Sequence, residues 1–75
     1  MNHDKALAVL ATVSGLDPSE IGPDRHLVAD LGIDSPKALR LLVELEEEFD
    51  IEIPDEDAAM MSTVADILAY IDQHA

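Results

Sequence analysis

The sequence predicts an all-α fold: a small four-helix bundle with three longer helices, one short helix and a long first loop. Three observations carry that expectation. Apolar residues recur at helical spacing in three separate stretches, around residues 6–13, 38–49 and 64–71. Helix punctuation falls at the ends of those stretches: Gly15, Asp17-Pro18, Pro36 and Thr63. The one stretch that alternates like a strand, Asp50-Ile51-Glu52-Ile53-Pro54, has nothing to pair with and reads as an extended connector with Ile51 and Ile53 turned inward.

The first helix is expected over Asp4 to Ser14. Leu7, Leu10 and Val13, with Ala6 and Ala11 beside them, form one apolar stripe. Asn2 or Asp4 can cap its start, and Gly15 is a natural stop. Residues 16–34 form a connection long enough to need its own anchors. Asp17-Pro18-Ser19-Glu20 supplies a single helical turn, with Asp17 as cap, Pro18 at the first position and Glu20 at capping-box distance. Leu16, Ile21, Leu27, Val28 and Leu31 are expected to pin the loop to the core, with turns at Gly22-Pro23 and Leu31-Gly32.

The second helix is expected from Pro36 to about Phe49. Proline costs nothing at a first helical position, and it pushes Ser35 toward the extended backbone of an N-cap. Ala38, Leu41, Leu42, Leu45 and Phe49 form the core stripe. Leu39 and Val43 lie on a neighbouring face with Lys37, Arg40 and Glu47, too apolar to be merely solvated and too charged to be core. A short helix follows over Asp55 to Met61, with Met60 or Met61 turned inward. The last helix begins at Ser62 or Thr63 and buries Val64, Ile67, Leu68 and Ile71.

Seventy-five residues are expected to make one domain, residues 1–75, near the size at which a single core yields only a few kcal/mol of net stability. Seventeen acidic residues against four basic ones give a formal net charge of −13. Such a surface repels nucleic acid and anionic membrane and steers toward partners with basic patches. With no cysteine, disulfide and thiolate chemistry are excluded. The N-terminus lacks a signal-peptide pattern and no apolar run reaches membrane-spanning length, so a cytoplasmic monomer is expected.

Chemistry built from the chain's own side chains finds little support. Ser35 has no positioned base, because His3, His26 and His74 are scattered and two lie near the chain ends. A dedicated metal site is not expected either: counting from Asp55, the sixth and twelfth positions hold Met60 and Asp66, where a calcium loop needs Gly and Glu. On pattern alone, Ser35 is explained as a helix cap worth about 1 kcal/mol.

Leu31-Gly32-Ile33-Asp34-Ser35, the helix ending Leu45-Glu46-Glu47-Glu48-Phe49 and the continuation Asp50-Ile51-Glu52-Ile53-Pro54-Asp55-Glu56-Asp57 together resemble an acyl carrier protein. The similarity runs over essentially the whole chain, including Leu16-Asp17-Pro18, Thr63-Val64 and Tyr70-Ile71. It implies that Ser35 is esterified by phosphopantetheine, transferred from coenzyme A by a separate phosphopantetheinyl transferase using Mg²⁺. It implies that Asp34 assists recognition by that enzyme. The arm's thiol then carries acyl chains as thioesters between acyl-transferring and acyl-modifying enzymes of fatty-acid, lipid or polyketide-type biosynthesis, so the chain itself is not an enzyme. The second helix is the implied docking surface for basic patches on those partners, and acyl chains are implied to retreat between the helices.

Three positions depart from the family pattern. Pro36 replaces the usual leucine or methionine after the serine, and Lys37 and Arg40 stand where fatty-acid carriers are commonly acidic. Cations in the first turn oppose the helix dipole, so helix stability does not explain them. Pro36, Lys37, Leu39, Arg40, Val43 and Glu47 are therefore the expected docking residues, tuned toward a dedicated partner. A peptidyl or aminoacyl carrier, and a non-carrier helical adaptor docking through the second helix, are the alternatives; a small enzyme is a third.

Overall fold

The computed structural model describes residues 2–75, and every regular element among them is helical. Helix α1 spans Asn2–Ser14, α2 Ser35–Phe49, α3 Asp55–Ala58 and α4 Val64–His74, with one 3₁₀ turn at Pro18–Glu20 in the long first connection. Three longer helices and one short one is the expected architecture. The boundaries moved by one to three residues: α1 begins two residues early, α2 one residue early, and α3 stops at Ala58, three residues short, with Ala59 and Met60 in a turn.

One cluster of apolar side chains holds the bundle together. Ala6, Leu10 and Val13 of α1 meet Leu41 and Leu45 of α2 and Val64, Ile67 and Ile71 of α4, and α1 packs against both partners. Leu10, Leu45, Ile67, Ile71 and Val64 are fully enclosed. Cutting any of the larger ones to alanine would cost about 2–5 kcal/mol, from lost burial and the cavity left behind. No polar or charged residue among those described is buried, so the acidity is entirely a surface property.

The connectors are ordered by capping chemistry close to that expected. Asp17 accepts from the Ser19 amide at 3.0 Å while Glu20 accepts from the Asp17 amide at 3.1 Å, closing the capping box. Thr63 and Asp66 form a second box at the start of α4. Gly15 ends α1 with φ +76°, a left-handed conformation that a Cβ would strain. Asp50 takes the same role after α2 at φ 53°, which aspartate tolerates better than most residues. Glu46 then holds the connector by accepting from the Ile53 amide at 2.9 Å, and Ile53 is buried as expected.

One expectation for the long loop was corrected. Val28 does not pin it: the segment coils on itself through Asp30 N to His26 O (2.9 Å) and Gly32 N to Val28 O (3.1 Å), turning Leu27 and Leu31 inward and leaving Val28 65% exposed. Ile33 is buried instead. Of the two methionines, Met61 packs on the core and Met60 faces solvent. The loop is stitched to the start of α4 by backbone bonds from Leu27 N to Ser62 O, Val64 N to Arg25 O and Ala65 N to Pro23 O, all 2.9–3.0 Å.

Candidate functional site

The segment Gly32 to Ala38 delivers the candidate site. Gly32, at φ +67°, reverses the chain, and Ile33 buries itself, so the next two residues emerge at the surface where α2 begins. The cap of α2 is Asp34, not Ser35. Asp34 lies in extended backbone, and its carboxylate accepts from the Lys37 amide at 3.0 Å, while its carbonyl accepts from the Ala38 amide at 2.7 Å. Ser35 is the first residue of the helix and Pro36 the second. Both serine and aspartate cap well, and the register was decided by Asp34, whose charged oxygen also gains from the helix dipole.

This shift changes what Ser35 is free to do. Its side chain is exposed, and among the described residues no hydrogen bond holds its hydroxyl. The helix start is capped without it. No imidazole hydrogen-bonds to it: His3 pairs with Asp72 at 2.8 Å, His74 stacks on Tyr70, and His26 Nδ1 faces the Ala29 amide at 3.4 Å. Among the described residues no group of His, Cys, Asp or Glu side chains is arranged to hold a metal ion.

Positions 35, 38 and 42 follow one face of α2. Ala38 and Leu42 line a cavity of about 360 Å³ that is partly open to solvent. Leu27, Ile33 and Leu41 form its interior with Ala58, Met61 and Ile67, and His26, Asp55 and Ser62 contribute polar atoms. An apolar cleft thus opens on the helix face that begins with the free hydroxyl.

The expected docking residues are all on the surface. Leu39 is 66% and Val43 42% exposed, and with Pro36, Arg40 and Glu47 they trace one outer stripe of α2. Arg40 is not a free cation: its Nε lies 3.2 Å from Glu44 Oε2, one turn on. That oxygen is screened from solvent and accepts no hydrogen bond, so the pair is held by charge at ion-pair distance rather than by an aligned bond. Lys37 has no acidic partner within ion-pair distance among the described residues.

A family model described as the phosphopantetheine attachment site matches residues 4–71. An acyl carrier protein of Clostridium acetobutylicum is 42% identical over 74 residues, covering 99% of this chain and 96% of that protein. The chain belongs to the acyl carrier protein family. A second acyl carrier protein, from Bdellovibrio bacteriovorus, is 38% identical over 71 residues, 95% of this chain and 91% of its own. A solved structure from Mycobacterium tuberculosis, assigned as an acyl carrier protein, superposes with a TM-score of 0.91 at 34% identity, covering 97% of each chain. As an acyl carrier protein it is a carrier, not an enzyme, and its cofactor is phosphopantetheine. Among the described residues no helix is long and apolar enough to cross a membrane.

Missing from the sequence expectation were the Asp34 cap, the Arg40–Glu44 pair and Ile33. An Asp-Ser pair before Pro allows two registers, whereas an Arg four residues before a Glu on one helix face is a pairing signal visible in the sequence.

Proposed function

We propose that Ser35 bears the phosphopantetheine arm and that acyl chains carried on it shelter in the cavity between α2, α3 and the long loop. The observation that carries this reading is an exposed, unbonded hydroxyl at the head of the α2 face that lines the cavity. When attached, the arm supplies the thiol on which acyl groups travel as thioesters. The chain's own residues anchor it. Asp34 fixes the helix start, so Ser35 is held by its backbone while its side chain stays free. The dipole of α2 favours a phosphodiester there by about 0.3–1 kcal/mol, and the neighbouring Asp34 carboxylate offsets part of that gain. With Pro36 lacking an N–H and the Lys37 and Ala38 amides already bonded to Asp34, the anion is served by the helix field more than by direct hydrogen bonds.

Incubation with coenzyme A and a phosphopantetheinyl transferase tests the attachment. Intact mass should rise by one phosphopantetheine in the native chain and not in Ser35→Ala. A gain that survives in Ser35→Ala refutes the assignment.

Enzymes of fatty-acid, lipid or polyketide-type biosynthesis, in the cytoplasm, are the proposed clients, docking through Pro36, Lys37, Leu39, Arg40, Val43 and Glu47. Two of the four Lys and Arg residues in an otherwise acidic chain fall on this surface. They disfavour the strongly basic docking patch that an all-acidic α2 would suit, and they favour a dedicated partner with an acidic group opposite the first turn. Lys37→Glu with Arg40→Glu should tighten association with a housekeeping ketosynthase. Arg40→Glu should contribute as much as Lys37→Glu, because it also changes the charge by two and leaves Glu44 without its cation. Unchanged or weaker binding at fixed salt would sink the idea.

A further inference from the structure

We propose that Tyr70 is a positioning residue for the cargo, its hydroxyl latching α3 shut as one wall of the cavity. The proposal rests on the reading that acyl chains shelter there. Helix α3 contributes Asp55 and Ala58 to the cavity lining, with Ala59 and Met61 following it. Apart from Ala58, which is half-buried against the core, its four residues have little else to keep them in place. None is buried, and its N-cap, Pro54, provides no side-chain hydrogen bond to the first turn. So short a helix has no independent stability and persists only where something outside it holds it.

Tyr70 of α4 supplies that hold. Its hydroxyl donates to Asp57 Oδ2 at 2.8 Å and lies 3.4 Å from the Glu52 carbonyl, touching both the body of α3 and the connector leading into it. The ring is braced from behind: the His74 imidazole stacks on it, centroids 4.0 Å apart and planes 15° from parallel, and His74 Nδ1 lies 2.9 Å from the Tyr70 carbonyl. Partial burial, the hydrogen bond to Asp57 and the charges of Asp57 and Glu46 push the phenol above its ordinary pKa, so it remains a donor throughout the neutral range. Asp57 points toward α4 while Ala58, its neighbour, lines the cavity. One bond on the outer side of α3 therefore sets the position of the wall on its inner side. With the bond in place, an acyl chain leaves only through the open rim. Without it, α3 opens more often and the chain exchanges faster with solvent.

The test uses the phosphopantetheinylated chain loaded with either an acetyl or an octanoyl group. Two quantities are read: the ratio of thioester cleavage rates by hydroxylamine, and amide hydrogen exchange over Ala58–Met61. The native chain should protect octanoyl relative to acetyl. Tyr70→Phe keeps the ring and removes the hydroxyl; it should cut that protection roughly five- to tenfold, the factor expected for one hydrogen bond of ordinary net strength at a half-exposed site. Exchange at Ala58–Met61 should speed up by a similar factor while exchange in Ala6–Val13 stays unchanged. Asp57→Ala should behave like Tyr70→Phe, and Asp57→Asn, which keeps an oxygen acceptor, should restore most of the protection. Octanoyl protection that survives intact in Tyr70→Phe overturns the latch. If the native chain shows no octanoyl protection, the sheltering reading fails, and unchanged exchange at Ala58–Met61 in Tyr70→Phe then overturns the latch as well. Should Tyr70→Phe loosen the whole chain, the contrast between Asp57→Ala and Asp57→Asn decides by the same two readouts.

Discussion

Lengthening the acyl chain should stabilise the carrier in a graded way, and the cavity sets both the slope and the limit. A cavity of about 150 Å³ holds one benzene, or roughly 25 Å³ per carbon. The 360 Å³ lined by Leu27, Ile33, Leu41, Leu42, Met61 and Ile67 therefore has room for up to about 14 carbons on that scale. Each buried methylene contributes about 0.8 kcal/mol, and freezing one rotation costs about 0.4 kcal/mol, leaving about 0.4 kcal/mol net. Going from acetyl to octanoyl adds six methylenes and gives an upper value of about 2.4 kcal/mol. The cavity is partly open, so about 1–2 kcal/mol is the expected gain. For a domain of this size that is a Tm rise of about 4–16 °C. The chain is covalently attached, so protein concentration does not enter. Calorimetric melts of acetyl, butanoyl, hexanoyl, octanoyl and longer forms at fixed pH and salt should show Tm climbing with length and flattening as the volume fills. A Tm independent of chain length refutes sheltering, because an exposed chain has nothing to contribute to the folded state.

Asp34→Ala should lower stability by about 1 kcal/mol through loss of the cap, measured by urea denaturation, while Asp34→Asn should stay within a few tenths of a kcal/mol. A transferase rate that drops in Asp34→Asn at unchanged stability would separate recognition of the charge from capping. Asp66 is held below its ordinary value of 3.8 by the Ser62 and Thr63 amides, and Asp17 likewise by Ser19. A lowered folded value means their contribution is complete above 3.8 and is lost as pH falls through the folded pKa. Urea midpoints should accordingly drop below about pH 4, and less steeply in Asp66→Asn; an identical acid limb in that variant would dismiss the role of Asp66. At neutral pH, raising salt from about 10 mM to about 0.5 M should increase Tm, since screening relieves the repulsion of a −13 chain. A Tm that falls with added salt would show that attractive pairs such as Arg40–Glu44 outweigh the repulsion.

What the sequence disclosed was chiefly local. Both capping boxes, Asp17–Glu20 and Thr63–Asp66, depend on residues three apart, and both formed. The apolar stripes of α1, α2 and α4 follow from a period of 3.6, and their centres are the buried residues. What stayed hidden depends on distance along the chain or on near-degenerate choices. The ladder joining residues 23–27 to 62–65 is made by backbone groups and has no side-chain signature. Val28 and Ile33 exchanged roles because a self-closed turn decides which face of the loop is inward, and hydropathy cannot see that. The Tyr70–Asp57 bond spans thirteen residues and a change of element. At the site, Asp34 and Ser35 are both good caps, and only the observed register distinguishes them.

That register has a functional consequence. Were Ser35 the cap, the same oxygen would have to accept a first-turn amide and carry a bulky phosphodiester, so attaching the arm would disturb the helix that positions it. With Asp34 closing the turn, the two tasks lie on adjacent residues: one carboxylate committed to Lys37 N, one hydroxyl committed to nothing. Pro36 contributes by stiffening the first turn without requiring a hydrogen-bond partner. Lys37 serves in two unconnected ways, its amide sealing the cap and its ammonium left for whatever protein approaches. The start of α2 is therefore held for reasons independent of any arm, and the same short stretch presents both the proposed attachment point and the charge proposed to select a client.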